Sequence, residues 1–210
     1  MARHLPIDIY MRLLGLDKDC FSSWWAKLPE GSTMVVQPKI DGCAIGLRYK
    51  YGQLVDAYTR DDSEIIENIR NINSIPLSID DSLKVEVELE GVLYTPFSNS
   101  KISIEQLLSN SFSKIDNSTS ILFKAFQIFC SKRDELSDLT QLQNWGFEVP
   151  ITLRTDDPRQ VKRWHSQWIK NELFSNLPTN GIVAKCNSSL TKNFLGASPS
   201  SPNWALALTR

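Results

Sequence analysis

Lys39 stands at the end of an apolar run, Val35-Val36-Gln37-Pro38, and is followed by Ile40-Asp41-Gly42. A lysine amine in such a place is a candidate nucleophile, provided that it can shed its proton. Its reference pKa lies near ~10.4, so a substantial neutral fraction near neutral pH requires a fall of about 3 pH units, roughly 4 kcal/mol. Burial and neighbouring cations together can supply that. Read alone, Lys-x-Asp-Gly is also ordinary strand-to-turn punctuation, and the surrounding pattern has to decide. Other chemistries find little footing. His4 and His165 are far apart in sequence, and neither Gly-x-Ser-x-Gly nor a zinc-type spacing occurs. Cys20, Cys43, Cys130 and Cys186 include no Cys-x-x-Cys pair, so they read as reduced, mostly buried thiols rather than a zinc site or disulfide framework. Trp164 and Trp168 share one helix face and fit a packed core better than a nucleic-acid stacking platform.

The elements that would position Lys39 follow from hydrophobic periodicity. Residues 7 to 28 read as helical, interrupted near Gly15 and closed by Pro29-Glu30-Gly31. From Met34 to Arg60 the pattern predicts two or three strands with a turn at Lys50-Tyr51-Gly52. A short helix follows around Asp62 to Ile72, turning Ile65, Ile66, Ile69 and Ile72 inward. Residues 83 to 90 alternate strictly, Leu83, Val85, Val87 and Leu89 against Lys84, Glu86, Glu88 and Glu90, as a half-buried strand does, with Gly91 ending or bulging it. Ser98 to Ser120 is rich in Ser and Asn and reads as a surface excursion around a short helix at Ile104 to Leu108. Ile121 to Phe129 is an apolar strand, and Leu136, Leu139, Leu142 and Trp145 mark a helix stopped by Gly146. Asp157-Pro158 is a cap with a first-turn proline, starting a helix with Val161, Trp164 and Trp168 on one face. Strands at 181 to 186 and 203 to 208 complete the chain.

At 210 residues and 41% hydrophobic content the chain suits one well-packed domain, burying roughly 70% of its extended surface. No signal region or apolar span is visible, so a cytoplasmic protein without membrane contact is expected. With 23 basic against 24 acidic residues the net charge is −1, a poor balance for gripping a phosphate backbone by charge alone.

The ordered series of motifs resembles the adenylation domain of bacterial NAD-dependent DNA ligases, especially their shorter second type. Lys39-Ile40-Asp41-Gly42 is similar to the nucleotidyl-transfer motif of that family. Cys43 to Tyr49, Gly52 to Arg60 and Asn68 to Leu77 resemble the strand pair and linker that follow it. Asn180-Gly181-Ile182-Val183-Ala184-Lys185 looks like the Asp-Gly-Val-Val-x-Lys motif, and Pro202-Asn203-Trp204-Ala205-Leu206-Ala207 like Pro-x-Trp-Ala-x-Ala. The likeness runs over about residues 10 to 210.

This resemblance implies an α+β nucleotidyltransferase fold of the ATP-grasp-like adenylation type, with antiparallel sheets and flanking helices. One adenylation domain over 1–210 is expected, with a helical lead-in at 1–33, a catalytic core at 34–210, and no oligonucleotide-binding, zinc-finger, helix-hairpin-helix or BRCT module. Lys39 would take AMP from NAD and pass it to a polynucleotide 5′-phosphate at nicked or broken DNA. Lys185 and Arg60 would balance charge on the α-phosphate, helped by Mg2+. Gln37 would meet the adenine edge, with Asp41 and Gly42 completing the nucleotide-binding motif. Phe126 takes the place of a stacking tyrosine, or is a core residue. ATP is the alternative donor, because 7–28 is too small to be the domain that holds the nicotinamide mononucleotide half. A protein supplying DNA-clamping modules is a possible partner. Three departures favour a second expectation, a degenerate, non-catalytic adenylation domain. Val92 stands where the family's ribose-binding glutamate does, leaving Glu90 two residues earlier on the same face. Thr209 stands in place of the last lysine, followed by Arg210. Asn180 replaces aspartate, and Asp61-Asp62-Ser63 replaces Gly-Asp-Gly. ATP-dependent or RNA-directed end-joining is the third expectation.

Overall fold

The computed structural model describes residues 18–59, 63–80, 86–96, 104, 121–198 and 202–210. Arg60, the start of the strand read at 83–90 and nearly all of 98–120 lie outside these residues. Two compact units form among them, one from residues within 41–130 and 139–149, the other from residues up to 40 with 131–138 and 150–210.

The second unit is built on a four-stranded antiparallel sheet in the order β6-β1-β7-β8. Its strands are β1 (Met34–Ile40), β6 (Leu153–Thr155), β7 (Thr179–Cys186) and β8 (Ala205–Leu208). Strand side chains alternate between faces, and here the even-numbered positions form the core. Met34, Val36, Ile182, Ala184, Cys186, Leu206 and Leu208 cluster with Phe21 and Trp24 of helix α1 (Lys18–Trp25) and with Val161 and Trp168. The last two belong to α4 (Pro158–Ile169), whose Asp157 cap accepts from the Arg159 N–H at 2.9 Å, as Asp-Pro predicts. Trp168 is buried and donates its indole N–H to Thr179 Oγ1 at 2.8 Å, so it is a core residue. The odd-numbered face carries Val35, Gln37, Lys39, Val183, Lys185, Ala205 and Ala207. Strand β6 lies beside Met34–Val36 alone, so from Gln37 onward, and at Pro38, β1 has a described neighbour on its β7 side only.

The first unit holds a second four-stranded antiparallel sheet, β3-β2-β4-β5. Its strands are β2 (Cys43–Lys50), β3 (Gln53–Thr59), β4 (Glu86–Tyr94) and β5 (Leu122–Ile128). The β2–β3 turn falls at Tyr51-Gly52, where both residues take positive φ. Ile65, Ile66, Ile69 and Ile72 are all buried around helix α2 (Ile66–Ile69). On one face Tyr49 and Phe123 each meet the Phe147 ring edge-on at 6.0 Å. Each such buried ring contributes about 1.5–3 kcal/mol. Helix α3 (Glu135–Asn144) starts in the second unit and continues into the first, and Gly146 takes a positive φ after it.

Two readings need correction. Gly91 does not end its strand, because β4 runs on to Tyr94; of the two expectations it is the bulge that forms at this point, with its extra residue on β5. Gly91 pairs with Ala125 and Glu90 with Gln127, leaving Phe126 as the bulged residue. Glu90 is fully buried, not the outward member of a half-buried strand. The short strand β6 and helix α5 (Ser189–Leu195) went unforeseen. Of the cysteines, Cys43 and Cys186 are buried while Cys130 is exposed. Among the described residues no helix is long and apolar enough to cross a membrane.

Candidate active site

Lys39 and Lys185 lie on the same, odd-numbered face of the β1–β7 pair, with Lys39 opposite Gly181 and Lys185 opposite Val35. They are offset by four residues along β1, about 13 Å of strand. The ladder slips beside Lys39: Ile40 pairs with Thr179, which leaves Asn180 as an extra residue. In regular register Asn180 would face away from Lys39. The bulge re-aims it, and Lys39 Nζ donates to Asn180 Oδ1 at 2.7 Å. An amide oxygen accepts this bond without adding a negative charge, and a neutral amine can make it as well as an ammonium can. Opposite Lys39 only glycine fits, since a Cβ on Gly181 would lie 2.7 Å from the Leu208 carbonyl oxygen.

Gln37, two residues before Lys39 on the same face, is 2% exposed. Its orientation follows from its neighbour. Thr152 donates its hydroxyl to the Pro150 carbonyl at 2.9 Å, so the Thr152 oxygen is left to accept. Gln37 therefore points its Nε2 at Thr152 Oγ1, at 3.0 Å, and turns Oε1 the other way. That oxygen is buried and has no hydrogen-bond partner among the described residues. A buried acceptor without a donor costs about 1–3 kcal/mol, and its complement is an N–H group. The exocyclic amine of adenine is a donor of that kind.

Lys185 is fully buried, and its Nζ donates to Glu135 Oε1 at 2.6 Å. The other oxygen of Glu135 accepts from Lys192 Nζ of α5. Burial drives the Lys185 ammonium well below its ordinary value, and the Lys192 charge pushes it the same way. Burial raises the Glu135 carboxyl, and Lys192 opposes that. Lys192 also sits 4.8 Å from the centroid of Trp204. Glu135, Lys192 and Thr152 were not anticipated from sequence; a glutamate in a helix's first turn ordinarily reads as solvated. At the end of β8, His165 Nε2 lies 2.9 Å from the Thr209 carbonyl, which can only accept, so Nε2 carries the proton. The Arg210 guanidinium lies 5.6 Å from the centroid of Trp168.

Of the remaining expected site residues, Asp41, Gly42, Glu90 and Phe126 belong to the first unit. Asp41 and Gly42 are exposed in the β1–β2 turn, and a Cβ on Gly42 would fall 2.1 Å from the Leu93 carbonyl oxygen. Glu90 and Val92 share a face of β4, opposite Gly46 and Ala44. Neither carboxylate oxygen of Glu90 has a hydrogen-bond partner among the described residues, and burial raises its pKa well above the ordinary value. Nearby on that face Tyr58 donates its hydroxyl to Glu88, and burial followed by that bond raises the phenol. Phe126 is 8% exposed. Among the described residues no group of three His, Cys, Asp or Glu side chains could hold a metal ion.

Residues 15–120 match the NAD-dependent DNA ligase adenylation domain family. The chain is 30% identical over 194 residues to a DNA ligase of Mycoplasma genitalium, covering 82% of this chain and 29% of that protein. It is 29% identical over 229 residues to a DNA ligase of Borrelia turicatae, covering 95% and 32%. It spans 29% to 32% of the length of these and similar curated relatives. Among solved structures, an archaeal ATP-dependent RNA ligase aligns with a TM-score of 0.59 at 12% identity, over 99% of this chain and 48% of that one. The mycobacterial DNA ligase D complexed with ATP and MES aligns at 0.53 and 14% identity, over 88% and 58%. At these identities the structural likeness establishes the fold alone, an α+β ligase-type nucleotidyltransferase fold with two antiparallel sheets.

Proposed function

Because the chain belongs to the NAD-dependent DNA ligase adenylation domain family, we propose that it is an adenylyltransferase whose Lys39 carries AMP during DNA strand joining. The Lys39 amine attacks the α-phosphorus of an adenine nucleotide donor, forming a P–N bond as nicotinamide mononucleotide leaves NAD, or pyrophosphate leaves ATP. AMP then passes to a 5′-phosphate of nicked DNA, and a 3′-hydroxyl displaces it to close the strand. The observation that carries this reading is Gln37 Oε1, without a donor among the described residues and buried on the same sheet face as Lys39, two residues from it. It selects an adenine amine and rejects a carbonyl at the same ring position.

Lys185 is the cation proposed to balance charge on the α-phosphate, with Arg60 as its companion. Asp41, Gly42, Glu90 and Phe126 are proposed nucleotide contacts on the strength of the motif match. A hydrogen bond from a ribose hydroxyl to Glu90 would require that carboxyl to be uncovered. Mg2+ would arrive with the phosphates of the donor, held through them and water. Interleaved DNA-clamping surfaces, from this polypeptide or a partner, would supply the duplex grip that a net charge of −1 does not. Val92, apolar and 6% exposed where the family has glutamate, favours a second reading, a domain that binds adenine nucleotide without turnover.

The test is incubation of the pure protein with adenine-labelled NAD or ATP and Mg2+. Label on wild type that survives alkali, is released by acid, and is lost in Lys39→Ala supports transfer. Nucleotide binding without any covalent label from either donor would establish the non-catalytic reading instead.

A further inference from the structure

The Glu135 carboxylate holds two ammonium groups, one on each oxygen: Lys185 at 2.6 Å on β7 and Lys192 on α5. A phosphate likewise presents two oxygens on one centre to a pair of cations. Glu135 is anchored at a defined place. Its backbone N–H donates to the Asn187 carbonyl at 2.9 Å, and the next N–H, of Leu136, to Asn187 Oδ1 at 3.0 Å. Asn187 is tied in turn to the Thr33 carbonyl at 2.9 Å, and Ser189 N–H to Asp134 Oδ1 at 2.9 Å. Asn187 follows the last residue of β7, whereas Gly181, the residue facing Lys39, lies near its beginning. The carboxylate is therefore fixed toward the end of β7 remote from Lys39.

We propose that Glu135 is an intramolecular anion that occupies Lys185 in place of a nucleotide phosphate, so that the donor must displace this carboxylate to recruit the Lys185 charge. The inference rests on the reading of Lys185 as the α-phosphate cation. While the pair is intact, the positive charge of Lys185 is balanced internally, and its ammonium is directed away from the nucleophile's end of the strand. An incoming α-phosphate draws Lys185 toward Lys39 and leaves Glu135 to Lys192, which already holds its second oxygen. Glu135 thus acts through Lys185 as a positioning residue and sets how strongly phosphate, rather than the nucleoside, contributes to binding.

Calorimetric titration with AMP and with adenosine separates the possibilities. In Glu135→Gln the affinity for AMP should rise about tenfold or more, the worth of one charge-assisted hydrogen bond no longer contested. Adenosine, which has no phosphate, should bind wild type and variant alike. Adding Lys185→Met to the variant should cancel the gain. Should Glu135→Gln not fold, Glu135→Asp, which shortens the reach to Lys185 by one methylene, should show a gain in the same direction. An AMP affinity that is unchanged or weaker, or a gain shared equally by adenosine, overturns the proposal while leaving the adenylyltransferase reading intact. Failure of both ligands to bind every variant overturns that reading, and the proposal with it.

Discussion

Replacing Gln37 with methionine, a side chain of similar length and no hydrogen-bonding capacity, should move stability and nucleotide recognition in opposite directions. Among the described residues Gln37 makes one bond, from Nε2 to Thr152 at 3.0 Å, and leaves Oε1 buried without a donor. The bond contributes about 0.5–1.5 kcal/mol and the stranded acceptor costs about 1–3 kcal/mol. Thr152 keeps its own acceptor, the Pro150 carbonyl, and so does not become an orphaned donor. The balance ranges from roughly neutral to about 2.5 kcal/mol, with stabilisation by about 1 kcal/mol as the central expectation. Recognition should change the other way. Without Oε1 the adenine amine loses its acceptor, and affinity should fall about tenfold. Urea denaturation of the free protein reads the first effect. The second is read by comparing adenine nucleotide with a purine nucleotide lacking the 6-amino group, which wild type should discriminate and Gln37→Met should not. A variant that is less stable by about 1 kcal/mol or more and still discriminates fully would show that Gln37 is a structural residue.

Ala at Gly42 or Gly181 should destabilise by roughly 1–3 kcal/mol, more at Gly42, because each new Cβ would meet a carbonyl oxygen of the neighbouring strand, at 2.1 and 2.7 Å. Unchanged denaturation midpoints would refute this packing. Burial keeps Glu90 protonated above its ordinary value of 4.5, so the folded protein binds more protons than the unfolded chain there, and stability falls as pH rises. Glu90→Gln is neutral throughout, and its advantage over wild type should therefore widen from about pH 5 to about pH 8; a constant difference in urea midpoint would rule out a buried, titrating Glu90.

Much of the scaffold was legible because its signals are local. The Asp157-Pro158 cap, the Tyr51-Gly52 turn and the isoleucines around α2 each state their structure within a few residues. Less legible was anything decided by distant partners. Strand β6 has three residues, too few to show alternation. Helix α5 leaves Leu190 and Phe194 exposed at 80% and 82%, and Leu195 alone of its apolar residues packs on the core, too little to read as an inward face. Glycine at 91 suggested an end or a bulge in β4, and the bulge is there, but its extra residue lies in β5 at Phe126. The lysine at 185 was visible as a motif residue, but its carboxylate partner, 50 positions earlier, announced itself by no spacing at all. The bulge that turns Asn180 onto Lys39 depends on the register between two strands more than a hundred residues apart, |i−j| being 141.

Past Val36, one margin of β1 has no strand beside it among the described residues. Sheet margins without a paired strand are templates on which a strand from another molecule can add, and they seed aggregation when protein is concentrated. Pro38 occupies that stretch. Its ring nitrogen has no hydrogen to offer a newcomer, so a continuous intermolecular ladder is interrupted one residue from the nucleophile. The imino acid beside Lys39 thus bears on colloidal behaviour, making this part of the sheet a poor surface for self-association.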